Sequence, residues 1–214
     1  MLRVKQLVII GAGGFAKSAV DSMDHRAYRI CGFIDERPDK LEHIGYPVLA
    51  HSLDELENVD SYCYFVAIGN SVKRKYWFGE LERRGLRIES IVDPSAIVSP
   101  LASLGRGCFV GKLAVINNNA IVEDDCVVNT MALVEHGCHL RKHVNMSTRA
   151  VINGDVQVGE GAFLGSCSVT IGQLSIGAWS TVGAGAVVIR DVEPNVTVAG
   201  VPAKPIESRR PVHG

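Results

Sequence analysis

His136 is the residue in this sequence best suited to acid–base chemistry, and it follows Glu135 directly. An imidazole titrates near neutral pH, so it can take a proton from an amine or a hydroxyl that attacks an electrophile. A neighbouring carboxylate can orient the ring and stabilise its protonated form. The alternative interpretation is an ordinary surface histidine, which is the majority case for a histidine considered alone.

A metal site is the second kind of chemistry that histidines suggest here. His139 and His143 follow His136 closely, and three imidazoles would suit a catalytic zinc ion. His139, however, occupies a different position from His136 in the repeat described below. The six cysteines form no CxxC pair and are interpreted as reduced, small core residues. We therefore predict no metal site.

A glycine cluster suggests phosphate binding near the start of the chain. Gly11, Gly13 and Gly14 follow the apolar run 6–10 and precede a helical pattern. Backbone N–H groups in such a turn, at a helix N-terminus, can bind a phosphate. The GxGxxG fingerprint is incomplete because Ala16 stands at its last glycine, so a plain β–α turn is the alternative.

Polar residues end two further predicted strands, 30–34 and 62–68. Asp35 and Glu36 follow the first, where acidic groups can accept hydrogen bonds from a ribose or a base edge. Gly69 and Asn70 close the second at the same edge of the sheet, where open α/β sheets bind ligands. A solvated loop and a turn are the alternatives. We predict that the four residues bind substrate.

The elements that position these groups differ between the two halves of the chain. Residues 1–93 alternate strands with helices, predicted over 15–23 and 72–84, which indicates a Rossmann-like parallel sheet. A capping box from Ser52 to Glu55 predicts another short helix. The run Lys73, Arg74 and Lys75 is interpreted as a solvated helix face.

Residues 94–206 show a period of six. Every sixth residue from Val98 to Val188 is aliphatic or Met in fifteen of sixteen cases, and the residue two places earlier is mostly small. A hexapeptide β-helix produces this period, with three rungs in each triangular coil and residues 18 apart stacked. His136 then falls at a corner beside Asn118, which we predict to contact substrate.

Composition excludes several functional classes. The chain has 214 residues with 22 Lys+Arg against 23 Asp+Glu, so it carries no electrostatic footprint for nucleic acids. No apolar run approaches the roughly 20 residues that span a bilayer, and no signal-peptide pattern is present. We therefore expect a cytoplasmic protein that contacts neither nucleic acid nor membrane.

The glycine-rich strand–helix unit, the hexapeptide repeat and the tail 198–205 together resemble one family. It is the left-handed β-helix sugar acetyltransferases, typified by sialic acid O-acetyltransferases and bacterial UDP-4-amino-sugar N-acetyltransferases of the bacillosamine type. The resemblance implies a left-handed parallel β-helix after the Rossmann-like domain, acetyl-CoA as co-substrate and a homotrimer. The segment 135–138 resembles the family's Glu-His-x-Cys motif, which implies that His136 is the general base and Glu135 its partner.

The resemblance also implies binding residues. Phe15 stands after the glycines, where the family often has histidine, and is assigned to the substrate. Asn145 stands nine residues after His136, where a second histidine is frequent, and is assigned to the cofactor. The glycine-dense coils and the tail resemble the part of the family that holds coenzyme A, which adds Gly165, Ser166, Gly183, Ala184, Gly200, Pro202 and Lys204.

The function that these expectations favour is N-acetylation of the 4-amino group of a nucleotide-linked amino sugar, with UDP as the preferred nucleotide. O-acetylation of sialic acid is the first alternative. A zinc-dependent β-helix hydratase resembling carbonic anhydrase is an alternative of another class. A non-catalytic protein that binds nucleotide sugars is the third.

Overall fold

The computed structural model describes residues 4–37 and 39–207. It contains an N-terminal α/β unit followed by a three-sided parallel β-helix, as the sequence predicts. No helix within these ranges is long and apolar enough to cross a bilayer.

The N-terminal unit is a six-stranded sheet in the order β3-β4-β2-β1-β5-β6, parallel except for the pair β3–β4. Its elements are β1 (Lys5–Ile10), α1 (Gly14–Ser22), β2 (Tyr28–Ile34), β3 (Glu42–His43), β4 (Tyr46–Ala50), a 3-10 turn (Val59–Ser61), β5 (Cys63–Val66), α2 (Ser71–Arg83) and β6 (Arg87–Ile88). The predicted helix at Ser52 does not form. The Glu55 carboxylate instead accepts a hydrogen bond from the N–H of His51 across a bend.

The central strands are apolar because both faces of the sheet are covered. On one face α1 buries Ala16 and Ala19 against a core that includes Phe109 and Val127 of the β-helix. On the other face α2 contributes Trp77 and Leu81 to a second core. The N-terminal unit and the β-helix therefore share a continuous apolar interface.

The β-helix contains the eighteen strands β7 to β24. The strands β7 to β21 form five complete coils of three strands, and β22, β23, an isolated bridge between Ile176 and Val192, and β24 continue the winding. Face one holds β7 (Ile91–Val92), β10 (Phe109–Val110), β13 (Val127–Val128), β16 (Asn145–Met146), β19 (Phe163–Leu164), β22 (Thr181–Val182) and β24 (Thr197–Ala199), with β25 (Lys204–Pro205) added antiparallel. Face two holds β8 (Ile97–Val98), β11 (Val115–Ile116), β14 (Leu133–Val134), β17 (Val151–Ile152), β20 (Val169–Thr170) and β23 (Val187–Val188). Face three holds β9 (Ser103–Leu104), β12 (Ile121–Val122), β15 (His139–Leu140), β18 (Gln157–Val158) and β21 (Ser175–Ile176).

The interior of the β-helix follows the predicted columns. The second residue of most two-residue strands points inwards, and the small-residue column beside it is buried. In this column Cys108, Cys126 and Cys138 each hold Sγ 3.1 Å from a backbone carbonyl oxygen of a later rung. Burial raises the pKa of the Cys108 thiol to about 12, so it is a neutral packing group.

The corners turn through one left-handed residue in each rung. Every sixth residue from Gly107 to Gly185 has φ between 55° and 68°, and ten of these fourteen are not glycine. Three corners result, each a column of residues 18 apart. The histidine corner contains Asn118, His136 and Gly154, the docking corner contains Asp125 and His143, and the glycine corner contains Gly165, Ser166, Gly183 and Ala184.

Candidate functional site

The His136 imidazole lies exposed on the histidine corner, directly over Gly154 of the next coil. A Cβ atom on Gly154 would come within 2.5 Å of His136 Cε1 and 2.7 Å of Nε2. Backbone hydrogen bonds fix the corner on both sides, from Asp155 N–H to the His136 carbonyl (2.9 Å) and from Gly137 N–H to the Asn118 carbonyl (3.1 Å). The stacking of coils therefore determines where the ring sits.

Glu135 stabilises the corner in a different way from the one predicted. Its carboxylate accepts a hydrogen bond from the backbone N–H of His136 at 3.0 Å. This hydrogen bond joins the carboxylate to the main chain of the corner and not to the imidazole ring.

The glycine loop contains one glycine that the backbone requires and two glycines with open space around them. Gly11 has φ 94°, and a Cβ there would meet Ile68 Cγ1 at 2.7 Å, so the close approach of the loop to the β5–α2 connection requires glycine. A Cβ on Gly13 or Gly14 would meet nothing within 4 Å. The N-cap residue of α1 is Gly13, which has no side chain to cap the helix. The first N–H groups of α1 thus face a cleft, the arrangement that suits a phosphate.

Asp35 holds this loop in place. Its Oδ2 accepts a hydrogen bond from Ala12 N–H at 2.7 Å, and Arg37 donates to both carboxylate oxygens at 2.6 and 2.8 Å. Hydrogen bonds from Arg37, followed by the one from Ala12, outweigh burial and hold the pKa of Asp35 well below its usual range. Both oxygens of the carboxylate assigned to the substrate thus already accept hydrogen bonds from the protein itself.

These elements enclose a cleft of about 410 Å³. Seven of the predicted substrate residues line it: Gly11, Gly13, Gly14, Phe15, Asp35, Glu36 and Gly69. The structure adds Arg37, Lys73 and Trp77, which the sequence did not indicate. Trp77 Nε1 donates to Glu36 Oε1 at 3.2 Å, which ties Glu36 to the cleft wall. Asn70 caps α2 by accepting a hydrogen bond from Lys73 N–H.

A second pocket of about 270 Å³ continues the cleft towards the β-helix. It shares Gly14, Phe15 and Gly69 with the cleft and adds Ser18, Val127, Asn129 and Asn145. The Phe15 ring packs edge-on against Phe109 of the β-helix, with ring centroids 5.1 Å apart. Asn145 Nδ2 lies 3.4 Å from the Gly69 carbonyl oxygen. Asn145, assigned to the cofactor from the sequence, therefore lies at the junction of the two domains.

The charged run of α2 corrects another expectation. Lys73 and Lys75 are exposed, but Arg74 is 1% exposed and forms an ion pair with the buried Asp125 at 3.1 Å. The interpretation of Arg74 as part of a solvated face is wrong, because the docking corner packs onto this side of α2.

The residues assigned to the cofactor fall into two places. At the glycine corner, Gly165 lies against the next coil, where a Cβ would be 2.6 Å from Ala184 N, and the hydroxyls of Ser166 and Ser147 are 2.8 Å apart. Gly183 and Ala184 stack above. The tail folds back as the β24–β25 hairpin, with Gly200 and Pro202 in its turn. Pro202 and Lys204 line a cleft of about 320 Å³ beside the last rungs.

The three histidines do not converge. His139 Nε2 lies 2.7 Å from Glu123 Oε1, and His143 Nδ1 lies 2.8 Å from Asp125 Oδ2. Within residues 4–37 and 39–207, no three His, Cys, Asp or Glu side chains are grouped so that they could hold a metal ion.

The histidine corner and the cleft belong to different sides of the prism. The second pocket, which continues the cleft, adjoins face one, where Val127 and Asn145 line it, and Arg74 joins α2 to the docking corner on the same side. His136 stands at the end of face two. Six residues at about 3.3 Å each span one side of the triangle, so corners lie up to about 20 Å apart.

Comparison with known proteins matches residues 6–81 to the PglD N-terminal domain family. A variant of perosamine N-acetyltransferase from Caulobacter crescentus, solved with CoA and GDP-perosamine, is 33% identical over 97% of this chain and all of that one, with a TM-score of 0.90. The acetyltransferase domain of PglB from Neisseria gonorrhoeae, solved with acetyl coenzyme A, is 32% identical over 95% and 100%, with a TM-score of 0.89.

Curated relatives are more distant. Serine acetyltransferase of Escherichia coli K12 is 27% identical over 143 residues, which cover 60% of this chain and 46% of that protein. The chain thus matches about half of that relative, and 15% of serine acetyltransferase 2 from Arabidopsis thaliana. The full-length similarity to the two sugar enzymes, in sequence and in fold, decides the relationship. The chain belongs to the left-handed β-helix sugar N-acetyltransferases, the family that acts on nucleotide amino sugars.

Proposed function

We propose that this protein transfers the acetyl group of acetyl-CoA to the amino group of a nucleotide-linked amino sugar, in the cytoplasm. The observation that carries the proposal is the continuous cleft, which joins an uncapped helix N-terminus to a sugar-sized pocket between the domains. The N–H groups of the glycine loop suit the diphosphate, with Arg37 and Lys73 beside them. The pocket of about 270 Å³ suits the sugar.

The lining of the sugar-sized pocket favours a sugar without a carboxylate over sialic acid. Its side chains are Phe15, Val127, Ser18, Asn129 and Asn145, none of which is charged. Hydroxyl and amide groups can bind sugar hydroxyls, but the carboxylate of a sialic acid needs a cation to offset its desolvation. An amino sugar without a carboxylate is therefore the better occupant.

His136 acts as the general base in the proposed reaction. The sugar amine forms a bond to the carbonyl carbon of the thioester and gives a proton to the imidazole as it attacks. Backbone N–H groups stabilise the negative charge that develops on the carbonyl oxygen. The bond between the carbonyl carbon and sulfur then breaks, and the imidazolium returns the proton to the departing thiolate. Glu135 keeps the corner in place during both transfers.

Acetyl-CoA fits the groups assigned to it at the glycine corner and the tail. Small residues leave backbone amides accessible there, and the 320 Å³ cleft combines an apolar lining with the Lys204 ammonium group. We propose that Gly165, Ser166, Gly183 and Ala184 hold the pantetheine arm and that Lys204 meets a phosphate.

We further propose that the enzyme works as a homotrimer. The outward residues of face two form an aliphatic column of Ile97, Val115, Leu133, Val151, Val169 and Val187, whereas those of face three are mostly polar. A continuous apolar face of this kind favours self-association. His136 follows the strand of Leu133, the third residue of this column, and lies at the edge of face two, so a neighbouring chain packed on face two can bring its cleft to that histidine.

The first experiment is a substrate panel. UDP-, GDP- and dTDP-linked 4-amino sugars and free sialic acid are incubated with acetyl-CoA, and thiol release is measured. We expect turnover of one nucleotide sugar, and a decrease of about 10²–10⁴-fold in His136→Ala. Turnover of sialic acid alone, or unchanged turnover in His136→Ala, would overturn the proposal. An EDTA arm with zinc analysis tests the hydratase alternative.

The second experiment tests the shared site. His136→Ala removes the base, and Gly13→Trp fills the open cleft without a steric clash at Cβ. When the two variants are co-expressed in equal amounts, about one site in four combines an intact base with an intact cleft from a neighbouring chain. We expect about a quarter of the wild-type activity, whereas a site within one chain gives none.

A further inference from the structure

Arg74 is a buried cation that the reaction described above does not use. Its side chain is 1% exposed on a helix whose adjacent Lys73 and Lys75 are exposed. Burying a guanidinium is costly unless every donor is satisfied. Its partners therefore show what the residue is for.

On the β-helix side, Arg74 binds two left-handed residues of the docking corner. Nε donates to Asp125 Oδ2 at 3.1 Å, and Nη2 donates to the His143 carbonyl at 2.8 Å. The His143 ring also binds Asp125 Oδ2, at 2.8 Å. Asp125 is fully buried, so this carboxylate depends on Arg74 and His143.

On the cleft side, the same guanidinium holds the connection that follows β5. Nη1 lies 3.3 Å from the Ile68 carbonyl oxygen and 3.5 Å from that of Gly69. The Gly69 carbonyl is also the acceptor for Asn145. Gly69 lines both the nucleotide cleft and the sugar-sized pocket, so its position sets the boundary between them.

We propose that Arg74 is a positioning residue that fixes the junction between the nucleotide cleft and the sugar-sized pocket. This inference rests on the proposed function. Only the planar fork of arginine, with five donors, can reach a carboxylate on one domain and carbonyls on both at once. A lysine offers a point charge and cannot span these acceptors.

The expected change in KM differs between the nucleotide sugar and acetyl-CoA. In Arg74→Lys we expect the KM for the nucleotide sugar to rise about tenfold and kcat to fall, because a shift of the Gly69 connection misplaces the sugar. The KM for acetyl-CoA should stay within about twofold, since Arg74 contacts none of the residues assigned to the cofactor at the glycine corner or the tail. A general loss of folded protein would lower the apparent kcat but would not raise the KM for the nucleotide sugar while leaving the KM for acetyl-CoA unchanged.

A double variant removes the stability effect. Arg74→Met with Asp125→Leu replaces the buried charges by apolar groups, which commonly restores stability after an ion pair is lost. We expect this variant to unfold near the wild-type temperature yet keep the raised KM for the nucleotide sugar. Lys75→Met is the matched control, because Lys75 bridges α2 and Glu160 at the same interface but at the surface. It should change KM less than twofold.

Equilibrium binding distinguishes the failure of this inference from the failure of the proposed function. Calorimetry of the protein with GDP, UDP, dTDP and CoA is carried out on the wild type, Arg74→Lys and the double variant. Weakening of nucleotide binding by about tenfold, with unchanged CoA binding, supports the inference. Wild-type nucleotide affinity in a folded double variant overturns it. If the wild type binds none of the three nucleotides, the proposed function fails.

Discussion

Gly154→Ala is expected to displace the His136 imidazole, the proposed general base, without changing its chemistry. The new Cβ would lie 2.5 Å from His136 Cε1, whereas ordinary contacts begin near 3.4 Å. The ring must therefore move by roughly 1 Å. It is exposed and can swing away, so the fold should tolerate the substitution.

The expected loss follows from the displacement. A misplacement of about 1 Å costs on the order of 10²-fold in rate, or about 2.7 kcal/mol in the activation barrier. We expect kcat for acetyl transfer to fall by this amount, with the melting temperature within a few degrees of wild type. In the His136→Ala background the substitution should have no further effect, because both changes act on one group.

The assay is thiol release from acetyl-CoA under saturating nucleotide sugar, with circular dichroism melts in parallel. Gly159→Ala is the matched control, since its Cβ would crowd the backbone N of Ala178, on a later coil than Asp125 and at another corner from the imidazole. It should lower stability and leave kcat per folded protein unchanged. Wild-type kcat in Gly154→Ala would refute the reasoning, since the ring would then react from another position.

Three further predictions concern assembly, acid stability and the loop. Val115→Lys places a charge in the aliphatic column of face two, one coil from His136; we expect dissociation to 23.0 kDa chains by light scattering and loss of acetyl transfer. Asp93 is 4% exposed; burial raises its pKa, but hydrogen bonds from Ser95 and Lys112 outweigh this and lower the pKa from 3.8 to about 2. Its contribution of about 2 kcal/mol is complete above pH 4 and lost as the pH falls towards 2, so Asp93→Asn should destabilise at pH 7 and flatten the acid limb of the unfolding curve. Asp35→Ala frees the glycine loop, and we expect weaker binding of nucleotide diphosphates by calorimetry with unchanged CoA affinity.

The sequence predicts the β-helix well because each rung is local. Six residues define a strand and a corner, and the same rule repeats until Val188, so no long-range information is needed. The left-handed corner residues escaped notice because they include Leu113, Met131 and Trp179, side chains without the glycine signature of that conformation. Their regular spacing, once known, marks each corner.

The candidate site is predictable only where its residues are close in sequence or end parallel strands. Gly13, Asp35 and Gly69 meet because parallel strands end at one edge of a sheet. Arg74 was misread because its partners lie 51 and 69 residues away, and a charge run gives no sign of a corner that covers it. The prediction of a helix at Ser52 was wrong because it rested on a capping box alone. A capping box is a local pattern, whereas the contacts that extend a helix come from residues distant in sequence.

The coil repeat also fixes the distances by which an insertion can displace a residue along the β-helix axis. One coil advances the chain by the strand spacing of about 4.8 Å and returns it to the same face. An insertion of 18 residues between β13 and β14 would thus carry His136 along the axis in a single step and leave it facing the same neighbour. An insertion of six residues would move it to another corner altogether. The distance between the histidine and the nucleotide cleft can therefore change only by whole coils. We expect relatives to differ in length by multiples of eighteen residues in the segment between the N-terminal domain and this histidine.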